Sequence, residues 1–342
     1  MLDLLLIPII ICLITSIKIR KTTDNQAIFS RTQTASINGL FVLMIFIRHF
    51  SEYIQLGQFD WVLGRGQRYL DQLIVVSFMF FSGFSFALQQ AKNSDYVRKL
   101  PKKILSLWIM FIVTVLAFLL VQYFLGNTYD IVTILLSMIG YKKVGNSNWY
   151  IVAIAILWFL TFISYSQKKI NPKILLGILM VIYMIVFANF KGVDIVMYNT
   201  VIAYYFGILF HDYEDLIIKR LRDNKIYWIA AVVSVLMIVA GLYYRDSFFM
   251  FELCVTAACL FLILFCLKIE MNSPVFIYLN KYSLEIYLVQ RIPMLIFQGK
   301  LQPNILYFLI CAAITYLLAL VWKWIFERIS GCNGFRKMAV NS

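Results

Sequence analysis

Apolar runs approaching bilayer length recur from one end of this chain to the other, and they leave few folds open. Candidates lie at residues 2–17, 37–51, 71–91, 104–125, 148–166, 173–190, 195–211, 226–243, 247–267, 276–297 and 304–326. A helix needs about 20 apolar residues to cross a bilayer. Over the 342 residues, 62% are hydrophobic, where a soluble domain has about 45–50%. Alternation at a period of two is absent, so helices rather than a barrel must satisfy the backbone in lipid. The expected fold is all-α: a polytopic membrane helix bundle with about 11 transmembrane helices. The segment 131–140 is apolar but short and reads as interfacial. Residues 2–17 resemble the core of a signal peptide. They lack a basic lead and a small-residue cleavage site, so they read as a first, uncleaved helix. No internal repeat is visible.

The net charge of +14 invites a nucleic-acid reading, which its distribution argues against. Lysines and arginines crowd every second loop: Lys18, Arg20, Lys21 and Arg31; Lys92, Arg98, Lys99, Lys102 and Lys103; Lys168, Lys169 and Lys173; Lys219, Arg220, Arg222 and Lys225; Lys268 and Lys281; Arg328, Arg336 and Lys337. The opposite loops hold Arg65, Arg68, Lys142, Lys143, Lys191, Arg245 and Lys300. By the positive-inside rule the N-terminus is expected outside and the C-terminus in the cytoplasm. Cys12, Cys254, Cys259, Cys266, Cys311 and Cys332 show no metal-ligand spacing and read mainly as apolar packing residues.

Ionisable groups within apolar spans are costly and mark candidate sites. Arg48 and His49 end the second span, with Glu52 just beyond. His49 and Glu52, three apart, share a helix face, so the carboxylate is placed to orient the imidazole. The bland alternative is a snorkelling arginine beside an interfacial histidine. Glu285 and Arg291 lie in "LNKYSLEIYLVQRIP" (279–293). Tyr282 pairs with Glu285 and Tyr287 with Arg291 on helix faces, or these are helix-end anchors. "NSNWYIVAIAILWF" (146–159) opens a span on Trp149 and Tyr150, as a membrane aromatic belt also would. Arg98, Lys99, Lys102 and Lys103 lie in "DYVRKLPKK" (95–103), suited either to clamping phosphates or to anchoring a cytosolic face. The other histidine, His211, beside Asp212, reads as a loop residue at the cytosolic end of the seventh helix.

Taken in order, these stretches resemble acyltransferase family 3, membrane proteins that move acyl groups onto sugars and other acceptors. The resemblance rests on Gly39 to His49, Phe80-Phe81-Ser82-Gly83-Phe84, the basic stretch 98–103, Trp149-Tyr150, and Ser283-Leu284-Glu285-Ile286-Tyr287-Leu288-Val289-Gln290. The lead-in "FSRTQTASINGL" resembles Gram-positive members. The match runs over roughly residues 30–328, and the ordered set is more specific than any single motif. Three positions depart from the pattern. Asn38 stands where an arginine eleven residues before the histidine is common, the basic stretch is lysine-rich, and Gln290 ends the late motif in place of histidine. Lysine cannot make arginine's bidentate fork.

The resemblance implies an acetyl-CoA-dependent O-acyltransferase in the bacterial plasma membrane, acting on an extracytoplasmic or lipid-linked sugar such as capsular or cell-wall polysaccharide. His49 would act as general base, with Arg48 or Arg291 near the developing oxyanion and Glu52 or Glu285 orienting the imidazole. Arg98, Lys99, Lys102 and Lys103 would hold the acyl-CoA phosphates. No metal and no nucleic acid are expected. The division expected is an extra helix and basic loop at 1–30, the acyltransferase-like membrane domain at 31–330, and a cytosolic tail at 331–342. Other classes fit the gross pattern. A lipid-linked oligosaccharide flippase or transporter would usually show pseudo-symmetric halves. A polysaccharide polymerase would place its key arginines in long outer loops. A non-enzymatic membrane sensor would accommodate Gln290.

Overall fold

A computed structural model describes residues 2–20, 27–57, 60, 62, 66, 73–190, 192–244 and 246–329. Lys21, Arg65, Arg68, Lys191, Arg245 and the tail 331–342 lie outside the described residues. The chain is a multi-pass membrane helix bundle with eight long, apolar helical spans among the described residues. In chain order the helices are α1 (Leu6–Ser16), α2 (Arg31–Phe50), α3 (Leu73–Lys92), α4 (Leu100–Phe124), α5 (Ile131–Met138), α6 (Trp149–Ser166), α7 (Pro172–Asn189), α8 (Ile202–Leu221), α9 (Asn224–Tyr243), α10 (Phe248–Lys268), α11 (Pro274–Asn280), α12 (Ser283–Val289), α13 (Arg291–Phe297) and α14 (Asn304–Ile329).

Polar punctuation sets many of the helix starts. Ser30 accepts a hydrogen bond from the Gln33 N–H at 3.2 Å, so α2 begins at Arg31 rather than 37. Asn171 followed by Pro172 opens α7, and Asp223 caps α9. α8 runs on to Leu221, which makes His211 a helical residue, not a loop one. The apolar segment after 130 is the short α5, capped by Asp130.

The late span expected over 276–297 is three short helices, α11 to α13. Pro293 accounts for the second break: it donates no backbone hydrogen bond, and its ring crowds the carbonyl of Val289. A second departure from pure helix is a small antiparallel ribbon. β1 (Ile17–Ile19) pairs with β2 (Ile269–Met271), Lys18 facing Glu270. The buried Gln33 side chain completes it, donating to the Ile269 carbonyl at 3.0 Å and accepting from the Met271 N–H at 2.7 Å. That ribbon ties α1 to the rest of the bundle at an end rich in Lys18, Arg20 and Lys268. Before the other end of α1, Asp3 in the 3-10 turn Leu2–Leu5 accepts the Val62 N–H at 2.9 Å. α2 starts beside the ribbon and delivers His49 to the opposite end.

Close backbone contact holds the centre. A Cβ added at Gly83 would lie 1.9 Å from the Tyr204 carbonyl oxygen, and one at Gly207 2.0 Å from that of Phe80. Only glycine lets α3 and α8 approach so closely. Around this seam Phe29 packs edge-on against Phe80, Phe81, Phe84 and Phe210, with ring centroids 5.3–5.6 Å apart.

Candidate functional site

His49 occupies the last turn of α2, and the chain then tightens into a 3-10 turn, Ser51–Tyr53. The Glu52 carboxylate is taken up by two arginines. One carboxylate oxygen accepts Arg48 Nη1 at 2.8 Å, and the other accepts Arg291 Nη2 at 2.6 Å. Arg291, first residue of α13, also donates from Nε to the Ser147 hydroxyl at 2.8 Å and from Nη1 to the Tyr53 hydroxyl at 3.2 Å. One guanidinium therefore joins α2's end, the loop before α6 and the break before α13.

His49 is 9% exposed, and its Nδ1 is enclosed with no hydrogen-bond partner among the described residues. Arg291, Arg48 and the Gln290 side chain act on the imidazole. Its ring lies 6.2 Å from that of Tyr287, which in turn lies 5.6 Å from Tyr150. Gln290 is fully buried, and its amide donates to the Tyr287 carbonyl at 3.3 Å. The imidazole is a base candidate enclosed beside Tyr287, with a carboxylate shared by two arginines nearby.

The fold thus brings His49, Arg48, Glu52 and Arg291 together. Glu285 is elsewhere: the charged groups acting on it are Lys323 and Glu327 of α14. Asn38 lies eleven residues before His49, about three helical turns along the same face, and its Oδ1 is enclosed without a partner among the described residues.

The basic stretch lies at the other end of α4. Arg98 pairs with Asp95 at 3.3 Å, both well exposed, and Lys99 and Lys102 are exposed. Lys103 turns inward, donating to the Tyr96 hydroxyl at 2.5 Å and lying over the Tyr96 and Trp158 rings. At the far end of α4, Gln122 donates to the Val144 carbonyl, in the loop that also carries Ser147. The helix rises about 28 Å from Lys103 to Gln122, close to the hydrocarbon thickness of a bilayer.

A family model described as an acyltransferase domain matches residues 36–324. The chain belongs to acyltransferase family 3. No curated protein and no solved structure matches it. The matched range begins inside α2 and ends inside α14, so the whole His49 cluster and the basic stretch fall within the acyltransferase domain. Two motif glycines of this acyltransferase are packing residues: Gly83 at the α3–α8 seam, and Gly39, whose added Cβ would meet the Phe276 carbonyl oxygen at 1.8 Å.

Sequence reasoning missed Tyr53 and Ser147 as partners of Arg291. The signal for Ser147 was its place in "NSNWY", where a polar triplet precedes an apolar helix. It also passed over Glu252 in α10, whose carboxylate oxygens are enclosed without partners among the described residues.

Proposed function

We propose that this membrane acyltransferase transfers an acyl group, acetyl by analogy with its family, from cytosolic acyl-CoA to a hydroxyl of an extracytoplasmic or lipid-linked sugar. O-acetylation of a capsular or cell-wall polysaccharide at a bacterial plasma membrane is the form we favour. The observation that carries this reading is the enclosed His49 with its unpartnered Nδ1, set beside the Arg48–Glu52–Arg291 bridge.

In this reading His49 removes the proton from the acceptor hydroxyl as that oxygen attacks the thioester carbonyl. Burial and walling by Tyr287 and Gln290 limit access of water, a competing acceptor. Arg291, only partly neutralised by a carboxylate it shares with Arg48, contributes positive potential where negative charge develops. Arg98, Lys99 and Lys102 hold the donor's phosphates at the other end, and the long uncharged arm of the donor spans the bundle between them. Lys103, already engaged by two aromatic rings, shapes that entrance more than it binds phosphate.

The test is to replace His49 with Ala and compare surface-polysaccharide O-acetyl content at matched protein level. Loss of the O-acetyl signal is expected. Unchanged acetylation would remove His49 as the base, and loss of the whole polymer on gene deletion would favour a flippase or polymerase.

A further inference from the structure

The Trp149-Tyr150 helix start has so far no chemical role, and an aromatic belt would suffice to explain it. Its surroundings say more. α6 is an 18-residue helix, and no side chain caps its first turn. Asn148 holds the N-cap position, yet its amide is turned away and donates to the Gly140 carbonyl at 2.6 Å. The N-cap side chain thus receives none of the first-turn amides, at the positive end of the helix dipole. The ring of Tyr150 faces inward, between Phe78 and Tyr287.

A second observation points at the same spot. Tyr287 is 8% exposed, and its hydroxyl is enclosed with no partner at bonding geometry among the described residues. Arg291, the Tyr150 main chain and the Ser147 side chain act on that hydroxyl. The same ring sits against His49, whose Nδ1 is likewise unpartnered. Asn146 adds an enclosed, unpartnered amide nitrogen in the same loop. Buried polar groups are ordinarily paired, and the His49 Nδ1, the Tyr287 hydroxyl and the Asn146 amide nitrogen are three enclosed atoms left unpaired among the described residues; acyl transfer uses a base together with such unspent donors. Both arginines, by contrast, already spend N–H groups on Glu52, and Arg291 on Tyr53 and Ser147 as well.

We propose that the first turn of α6 and the Tyr287 hydroxyl form the oxyanion-holding pocket of the transfer site. The inference rests on the acyl-transfer reading above. The acceptor oxygen bonds to the thioester carbonyl carbon and its proton passes to His49. The carbonyl π pair moves onto oxygen, where the Tyr287 O–H and the α6 amides receive the charge. Collapse re-forms the carbonyl, breaks the carbon–sulfur bond and expels the thiolate, which takes the proton back from His49.

The test uses membrane vesicles bearing the full chain, acetyl-CoA as donor and base-stripped surface polysaccharide as acceptor. Wild type, His49→Ala and Tyr287→Phe are compared, with melting temperature in detergent as a check that Tyr287→Phe folds. Losing one oxyanion donor is expected to lower kcat by about 10²-fold, with the acetyl-CoA KM within about twofold, because the donor is bound elsewhere. A folded Tyr287→Phe with unchanged kcat, or with the whole loss in KM, overturns the pocket while leaving His49 in place. If His49→Ala matches wild type, or wild type transfers nothing, the acyl-transfer reading fails and the pocket falls with it.

Discussion

At the scale of single residues, Glu52 decides the electrostatics of the site. It is 35% exposed and bridges Arg48 and Arg291, so it serves as a rim strut, not as the partner of the imidazole. Glu52→Gln keeps the shape and removes the charge. We expect a stability loss of about 1–2 kcal/mol, discounted from the cost of breaking a buried pair because the group is partly in solvent. A melting-temperature comparison in detergent checks this. Arg291→Lys should be harsher for activity than for folding. Lysine keeps the charge but cannot reach Glu52, Tyr53 and Ser147 together, and a fall in kcat of about tenfold or more is expected. An Arg291→Lys enzyme with wild-type kcat would show that the charge alone is needed. The residues were legible: Arg48, His49, Glu52 and Arg291 stand out as ionisable groups in or beside apolar spans. Their pairing was not, because helical spacing offers Glu52 to both His49 at i+3 and Arg48 at i+4, and Arg291 comes alongside only in the assembled bundle.

At the scale of elements, two devices position the site. The first is the glycine seam between α3 and α8. Gly83 has helical dihedral angles, so alanine would suit the helix and fail only for space. Its Cβ would meet backbone at 1.9 Å, which cannot move as a side-chain tip does. Gly83→Ala should force the helices apart at a cost of about 3 kcal/mol or more, seen as lost expression or a sharply lower melting temperature. A Gly83→Ala protein that melts like wild type would refute this packing. The second device is the break at Gln290. Pro293→Ala restores a backbone donor and removes the clash with residue 289. We expect α12 and α13 to merge, with stability kept or raised, while Arg291 loses its register on Ser147 and kcat falls about tenfold or more. Unaltered kcat with raised stability would show that the break does not serve the site. A proline in "VQRIP" signals such a break in the sequence. Reading 276–297 as one helix gave hydrophobicity precedence over that signal, as lipid often does when neighbouring helices re-satisfy the freed backbone.

At the scale of the whole molecule, α4 spans about the thickness of a bilayer between the basic stretch and the loop that carries Ser147. Exposed cations gather near the start of α4, and the enclosed imidazole lies beyond its end. Charge removal at the first should therefore change donor binding and not the chemical step. For Arg98, Lys99 and Lys102 together changed to Ala, the acetyl-CoA KM is expected to rise about tenfold or more, steeply dependent on salt, with kcat near wild type. A KM that does not move would exclude this patch as the phosphate site. The sequence by itself determined the class of fold, since apolar runs in lipid have helices as their outlet. It also determined the alternation of basic loops and the roster of ionisable residues within the spans. Only the tertiary structure decided which of those residues meet. Glu52 and Glu285 are equally plausible partners for His49 along the chain, yet one pairs with Arg48 and Arg291 beside it and the other feels Lys323 and Glu327 of α14. The ribbon of Ile17–Ile19 with Ile269–Met271, and the convergence of Ser147, Tyr287 and Arg291, join positions far apart along the chain. No local pattern carries such contacts, because their free energy comes from packing and hydrogen bonds that exist only once the helices are assembled.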